Sequence, residues 1–314
     1  MTKGAAAAKR KTLPGIIGDE LKRHWQLYVM LLLPVIYLTI FCYVPMGGAV
    51  IAFKDFSIRK GIWGSNWVGL KNFISFFKTP DFKRLLTNTL ILSVYSLVIS
   101  FPMPIVLALA INEIRGRLFK KSVQMITYMP YFISVVVLVG IMANIFSVRT
   151  GFVNNVIGLL GGTRTDFMGI PALFRSMYVW SGVWQTMGYG AVIYIAALSS
   201  VDPSLTEAAI CDGAGRIFCV LNVDIPTILP TIVIQLILAI GGIMSIGFEK
   251  VFLMQNPINT PISEIIATFV YKRGLTNFQY SYAAAVGLFN SVVNLILILG
   301  ANAFARRVND TSLW

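Results

Sequence analysis

Acidic side chains are concentrated in one polar loop, residues 202–230, in an otherwise apolar second half of the chain. The loop carries four acids, Asp202, Glu207, Asp212 and Asp224, and one base, Arg216. It lies between two long uncharged runs that each look able to cross a membrane. Charged groups are costly in hydrocarbon, so this loop must lie in water or against another protein. The residues therefore predict a surface that contacts solvent or a partner.

The same loop contains signals for a short helix. Asp202 could cap it with Pro203 at the first helical position, or Ser204 could cap it with Glu207 completing a capping box. The residues that follow are small and would leave the helix thin, so that another surface could approach its backbone closely. These small residues are Ala208, Ala209, Gly213 and Gly215.

A few side chains within the apolar runs could bind a neutral ligand that carries hydroxyls and an apolar face. Asn290 and Asn294 lie four residues apart, on one face of a helix, and Trp184 and Gln185 lie in an earlier run. Amide groups supply donors and acceptors for hydroxyls, and an indole supplies a flat apolar surface for a sugar ring. Polar groups inside a membrane usually face protein or a water-filled path. Hydrogen bonding between helices would explain the same residues without a ligand.

The composition indicates a membrane protein. Of 314 residues, 56% are hydrophobic and 12% are charged, and the net charge is +13. The Lys and Arg residues lie in loops between apolar runs, where anionic lipid headgroups are better neighbours than nucleic acid.

Several kinds of site are not predicted. The three cysteines form no Cys-x-x-Cys pair and His24 is the single histidine, which argues against a disulfide framework, a metal site or histidine-dependent hydrolysis. The sequence has no Gly-x4-Gly-Lys-Ser/Thr motif to hold phosphates. If ATP drives this protein, another subunit must bind it.

Six apolar runs are long enough to cross a bilayer as helices. They cover residues 25–53, 85–112, 122–148, 176–201, 225–248 and 274–305. The predicted fold is an all-α, polytopic membrane protein with a six-helix domain at 25–305, an N-terminal segment at 1–24 and a tail at 306–314. Six spans place both termini on one side, and the basic cluster before the first run favours the cytoplasm. The aromatic and basic loop 54–84 could lie on the membrane or dock an extracytoplasmic partner.

The spacing of residues in the polar loop resembles a family signature. Glu207-Ala208-Ala209, three residues, Gly213, nine residues and Val223-x-Ile225-Pro226 resemble the E-A-A-x3-G-x9-I-x-L-P motif of ABC importer inner-membrane permeases. Val223 and Ile225 stand where that motif has Ile and Leu. Asp212-Gly213-Ala214 is similar to the carbohydrate branch, the MalF/LplB-like permeases for oligosaccharides and polysaccharide fragments. Other similar segments, such as Trp67-Val68-Gly69-Leu70, extend the resemblance over nearly the whole chain.

The resemblance implies the fold of a type I ABC importer permease in the bacterial cytoplasmic membrane. It implies that the loop 202–226 holds a coupling helix whose residues seat against an ATPase subunit, and that the later spans line the sugar path. The implied coupling residues are Glu207, Ala208, Ala209, Asp212 and Gly213, and the path candidates are Trp184, Gln185, Asn290 and Asn294.

The resemblance also implies partners and a mechanism. The partners would be a second, similar permease, two ATPase subunits and an extracytoplasmic sugar-binding protein. ATP and Mg²⁺ would be bound by the ATPase subunits, so that this chain holds no cofactor and catalyses no reaction. Motion of the ATPases would drive alternating access through the coupling helix.

Three other functions make different demands on the residues. An ion-coupled secondary transporter needs acids or bases within its spans, and an intramembrane enzyme needs a catalytic constellation. The apolar runs contain essentially none of these groups. A permease of the same architecture for a solute other than a sugar remains compatible with the sequence.

Overall fold

The computed structural model describes residues 22–244 and 246–309. Most of them are helical, and the only strands in the described part of the chain are two residues long. The predicted all-α fold is confirmed. Most of the predicted N-terminal segment, 1–24, and the end of the predicted tail, 306–314, lie outside the described residues.

The first predicted span is a continuous helical stretch, Trp25–Phe53. Its parts are α1 (Trp25–Leu38), a π-helical turn (Thr39–Tyr43), α2 (Val44–Met46) and a 3-10 turn (Gly47–Phe53). No residue of α1 is buried, and only the 3-10 turn packs on the last helix of the chain. The apolar surface of α1 is therefore left to lipid or to another subunit.

The loop after the first span folds onto itself. Strand β1 (Lys54–Asp55) pairs antiparallel with β2 (Asn66–Trp67) around α3 (Gly61–Gly64), and α4 (Lys71–Lys78) follows. The buried Lys54 ammonium donates to the carbonyls of Ile62 and Trp63 at 2.9 and 3.3 Å. Docking of a partner on this loop stays a prediction.

The second span is a long helix that begins before the predicted run. Helices α5 (Asp81–Ser100) and α6 (Pro102–Asn112) together form an apolar stretch of 32 residues. It starts at Asp81 because an acid in the first turn favours a helix N-terminus.

The third predicted span is broken. Helix α7 (Arg117–Tyr128) continues into a 3-10 turn (Met129–Phe132) and then meets α8 (Val135–Ile145) at an angle of 100°. Pro130 lies in the 3-10 turn, and Ser134 caps α8. A proline that removes a backbone donor and a serine that starts a new helix together explain the break.

Helix α10 (Pro171–Leu198), which follows α9 (Phe152–Leu159), is the centre of the structure. It packs against α5, α6, α7 and the fifth span. At Gly188 it approaches α7 so closely that a Cβ would lie 1.9 Å from the carbonyl oxygen of Thr127. A residue without a side chain is required at this crossing.

The polar loop leads into the fifth span. Helix α11 (Pro203–Cys211) is followed by α12 (Arg216–Cys219), a π-helical turn (Val220–Asp224) and α13 (Ile225–Gly241). The last three form one continuous helix, so this span begins earlier and ends earlier than the predicted run 225–248.

The rest of the chain, as far as the structure describes it, contains three short helices and one long one. Helices α14 (Phe248–Met254), α15 (Thr260–Ser263) and α16 (Ile266–Tyr271) form a connection, and a π-helical turn (Lys272–Thr276) follows. Helix α17 (Tyr280–Asn309) is the last span.

The described residues contain four helices that are long and apolar enough to cross a membrane, or five if α7 and α8 count as one span. Helix α10, the predicted fourth span, has sufficient length at 28 residues. It is less apolar than the others because polar and aromatic residues occupy its middle, around Gln185 and Thr186. The number of six spans stays a prediction.

Apolar side chains fix α10 near both ends. Toward its start, Val179 and Val183 pack with Leu92 of α5, Leu138 of α8 and Val251 of α14. Toward its end, a second cluster joins α10 to α6 and α13 through Ala108, Ala191, Tyr194, Leu198 and Ile228. Because burial of these side chains holds α10 against its neighbours, it also fixes the positions of the cavities described below.

Candidate coupling loop and translocation path

The predicted coupling helix is α11, and its start is capped by Asp202. The carboxylate of Asp202 accepts a hydrogen bond of 2.9 Å from the backbone N–H of Ser204, and Pro203 is the first helical residue. Of the two caps that the sequence allowed, the structure adopts this one. The hydrogen bond from the Ser204 N–H lowers the pKa of Asp202, since it stabilises the charged carboxylate.

The end of α11 is fixed by Gly213. This glycine has φ +85°, a conformation that side chains disfavour. The N–H of Gly213 donates to Ile210 O at 3.0 Å, and the N–H of Ala214 donates to Ala209 O at 2.9 Å. This pair of hydrogen bonds is the Schellman arrangement, which stops a helix and satisfies its last carbonyls.

The five predicted coupling residues lie together on this exposed helix and its cap. No residue of α11 is buried, and Glu207, Ala208, Asp212 and Gly213 are exposed while Ala209 is half-buried. An exposed two-turn helix that carries the small residues Ala208, Ala209 and Gly213 at its end can fit into a groove of another protein. Seating against an ATPase stays a prediction.

Two connected cavities lie beside α10. The larger, about 750 Å³, lies between α5, α10 and α13 and is lined by Ser93, Ser96, Ser100, Tyr189 and Gln235 among apolar side chains. The second, about 480 Å³, shares Ser96 and Ser100 and continues toward α14. Hydroxyl and amide groups in an apolar wall suit a ligand that carries both hydroxyls and C–H faces. Among the described residues, no three His, Cys, Asp or Glu side chains group into a metal site.

Gln185 lies at the second cavity, but its amide has a partner. The side chain is 8% exposed, and its Nε2 donates to the carbonyl of Ile133 at 2.7 Å. Ile133 lies at the break between α7 and α8, where a carbonyl loses its helical partner. Gln185 therefore stabilises the broken span.

Trp184 lies on another side of α10. It is 47% exposed and lines an apolar groove with Trp180 and residues of α8, away from both cavities. Consecutive residues of a helix project about 100° apart, which separates Trp184 from Gln185. The structure does not bring the two into one site.

Asn290 and Asn294 reach the same backbone segment. Asn290 Nδ2 donates to Met244 O at 3.2 Å, and Asn294 Oδ1 accepts from Met244 N at 3.0 Å. The two amides share one face, as predicted, and they hold the chain where α13 has ended. Neither lines the two cavities, so their role in a sugar path stays a prediction.

Lys250 is a candidate functional residue that is not among the predicted site residues. It is 7% exposed on α14, its Nζ donates to Tyr178 O at 2.8 Å, and it lies 4.8 Å from the centre of the Tyr178 ring. Helix α14 is not one of the membrane-spanning helices. Burial lowers the pKa of Lys250 to about 8, because it disfavours the charged form. The available signal was a lysine within the apolar segment Phe248–Met254.

Comparison with known proteins decides the family. Residues 100–310 match the model of the binding-protein-dependent transport system inner membrane component. The chain belongs to this permease family. The implied identification as an ABC importer inner-membrane permease is confirmed, and the permease is a transport subunit and not an enzyme.

Two relatives and two solved structures resemble the permease over most of its length. Protein LplB of Bacillus subtilis (strain 168) is 44% identical over 94% of this chain and 92% of its own. The polygalacturonan/rhamnogalacturonan transport system permease protein YteP of the same organism is 44% identical over 92% of this chain and 90% of its own.

The crystal structure of a bacterial ABC transporter involved in the import of the acidic polysaccharide alginate has a TM-score of 0.87 and 38% identity, covering 93% of the permease and 99% of that chain. A second structure shows a bacterial alginate ABC transporter in complex with an alginate pentasaccharide-bound periplasmic protein. It has a TM-score of 0.87 and 38% identity, and the match covers 94% of the permease and 99% of that chain.

The double variant Asn290→Leu/Asn294→Leu tests the role of the two amides. We expect it to destabilise the permease, because the N–H and carbonyl of Met244 lose their partners, and each unsatisfied buried group costs about 1–3 kcal/mol. The melting temperature of the purified complex measures this effect. Asn144→Leu is the control, since the amide of exposed Asn144 donates to Gly140 of its own helix. A double variant with an unchanged melting temperature and reduced transport would support the sugar-path role instead.

Proposed function

We propose that this permease carries oligosaccharides or polysaccharide fragments into the cell, driven by ATP that other subunits hydrolyse. The observation that carries the proposal is the connection of the coupling helix to the cavity. Helix α11 is exposed and capped at both ends, and a short turn joins it to the continuous helix Arg216–Gly241. That helix lines the larger cavity through Gln235, Leu238 and Ala239.

A displacement of α11 would therefore reach the wall of the cavity through one continuous helix. This is what alternating access needs: a force at the cytoplasmic surface that changes which side of the membrane the cavity faces. The force would come from two ATPase subunits that bind ATP and Mg²⁺, acting on Glu207, Ala208, Ala209, Asp212 and Gly213. The names of YteP and of the alginate transporter support a carbohydrate substrate.

The complete importer would contain more chains. We propose a second, similar permease, the two ATPases and an extracytoplasmic sugar-binding protein, and the alginate-bound complex of the related transporter supports the last of these. The apolar, fully exposed α1 supports the presence of a neighbouring subunit or lipid. The location would be the bacterial cytoplasmic membrane.

The test is reconstitution of the permease with these subunits in liposomes. We expect the binding protein and its oligosaccharide together to raise ATP hydrolysis above the basal rate and to deliver labelled sugar into the lumen. Binding protein without sugar is the control. A complex that assembles but takes up no oligosaccharide from a broad glycan panel would contradict the proposed function.

The proposed orientation places both termini and α11 in the cytoplasm. In a variant without Cys42, Cys211 and Cys219, a cysteine at Lys60 should react with an impermeant maleimide in right-side-out vesicles, and a cysteine at Ser204 should react only after permeabilisation. Both positions are exposed. Labelling of position 204 in sealed vesicles would reverse the orientation and exclude an ATPase-docking role for α11.

A further inference from the structure

The ammonium of Lys250 is buried without a counter-charge. It makes one hydrogen bond, to Tyr178 O, and contacts the face of the Tyr178 ring. Within residues 22–244 and 246–309 no carboxylate lies within 4.0 Å of it. An ammonium has three donors, so two remain for another group.

Other cations of the permease are satisfied differently. Arg84 and Lys272 both pair with Glu264, at 2.8 and 3.1 Å. Lys54 is buried like Lys250 and also contacts an aromatic ring, but it donates to two carbonyls. Burying an unpaired charge costs several kcal/mol, so Lys250 would gain most from an anion that arrives from outside.

The surroundings of Lys250 provide space for such an anion. Lys250 lines the cavity of about 480 Å³ together with Ser96, Ser100 and Thr186. Its Nζ lies 3.3 Å from the position that a Cβ at Gly182 would take, and Gly182 lines the same cavity. Because Gly182 has no side chain, the ammonium can lie against α10 at the cavity wall.

The groups that line the two cavities could bind an acidic sugar. Ser96 and Ser100 belong to both cavities, so hydroxyl groups line a route that runs from Lys250 toward Gln235 of α13. Hydroxyls can bind the hydroxyls of a sugar, and a buried ammonium can bind a carboxylate. Glu249 lines the same cavity with a like charge to the proposed anion, but it is exposed to solvent, which screens the repulsion.

We propose that Lys250 binds the carboxylate of a uronic acid in the translocation path, and that the substrates of this permease are acidic oligosaccharides. The inference rests on the proposed function, since it names the class of sugar that the cavities admit. It agrees with the acidic polysaccharide that the related transporter imports.

The experiment compares two sugars in the reconstituted importer. The probes are α-1,4-linked tetragalacturonate and the neutral tetrasaccharide obtained by reducing its carboxyl groups, each at a concentration that saturates the binding protein. Lys250→Met should lower uptake of tetragalacturonate at least about tenfold, the effect of losing a charge-assisted hydrogen bond, and leave uptake of the neutral sugar unchanged.

Matched variants separate binding from folding. Lys54→Met also removes a buried lysine beside a ring, but outside the cavities, and should leave the ratio of acidic to neutral uptake unchanged. Lys250→Arg keeps the charge and should keep the preference. If Lys250→Met does not assemble, Lys250→Gln decides, because it removes the charge and keeps a donor for Tyr178 O. Selective loss of acidic uptake in that variant supports the proposal, and an unchanged ratio of acidic to neutral uptake overturns it.

The outcomes also separate the two proposals. Equal loss of both sugars in Lys250→Met, or no loss of tetragalacturonate, would overturn the role of Lys250 and leave the proposed function intact. A wild-type importer that takes up only neutral sugars would overturn the acidic substrate class alone. A wild-type importer that takes up no oligosaccharide at all would overturn the proposed function as well.

Discussion

Replacing Gly188 by alanine is expected to prevent assembly of a stable permease. The new Cβ would lie 1.9 Å from the oxygen and 2.4 Å from the carbon of the Thr127 carbonyl, so it would meet backbone and not a flexible side chain. Relief requires α10 and α7 to separate at the centre of the structure. We expect a cost of about 3 kcal/mol or more, at the upper end for overpacked cores.

The yield and melting temperature of the monodisperse complex in detergent measure this effect. Gly140→Ala is the matched control, because Gly140 also lies within a helix, α8, but a Cβ there would meet nothing within 4 Å. Its melting temperature should stay the same or rise, since alanine favours helices more than glycine does. A Gly188→Ala complex with wild-type yield and melting temperature would show that the crossing of α7 and α10 can open at little cost.

Replacing Gly213 by tryptophan is expected to abolish the stimulation of ATP hydrolysis by oligosaccharide while the permease remains in the membrane. A Cβ at this position meets nothing within 4 Å in this chain, so the indole would project from the exposed cap of α11. The proposed groove of the ATPase would then be blocked. The measurement is the ratio of stimulated to basal hydrolysis in liposomes.

Two variants show which property of Gly213 matters. Gly213→Ala places a Cβ at the same positive φ without the bulk of an indole, so it measures the effect of backbone strain alone and should retain most of the coupling. Gly215→Ala tests the loop outside the cap, because Gly215 has φ −78° and open space around it. Coupled hydrolysis at the wild-type rate in Gly213→Trp would exclude α11 as the docking element.

The coupling helix could be predicted because its signals are local. Asp202 and Pro203 start a helix, and Gly213 stops it, through contacts within a few residues of the chain. The shared face of Asn290 and Asn294 followed from helical geometry for the same reason. Local spacing could not predict that both amides bind Met244, because Met244 and the two asparagines meet only after the chain has turned back.

The angle of the broken third span and the burial of the lysine depend on tertiary packing. Pro130 marks where the uncharged run 122–148 breaks, but hydropathy could not show that its halves meet at 100°. The donor that stabilises the break, Gln185, comes from a different helix. Lys250 follows the predicted run 225–248, where its charge is typical of a loop, whereas in the structure α14 packs against α8 and α10 and buries it.

The π-helical turn at Val220–Asp224 sets the direction in which the coupling helix points around the axis of the fifth span. A π turn holds one residue more than an α turn, so deleting one residue there would let 216–241 wind as a regular α-helix. If the same residues instead wound as a regular α-helix with none deleted, all preceding residues would rotate by up to about 100° about that axis and shift by about 1.5 Å along it. The face that α11 presents would be turned away although every side chain on it remained. The direction of the coupling helix is therefore encoded in the winding of one turn, where a change from π to α winding could redirect the helix without changing the loop itself.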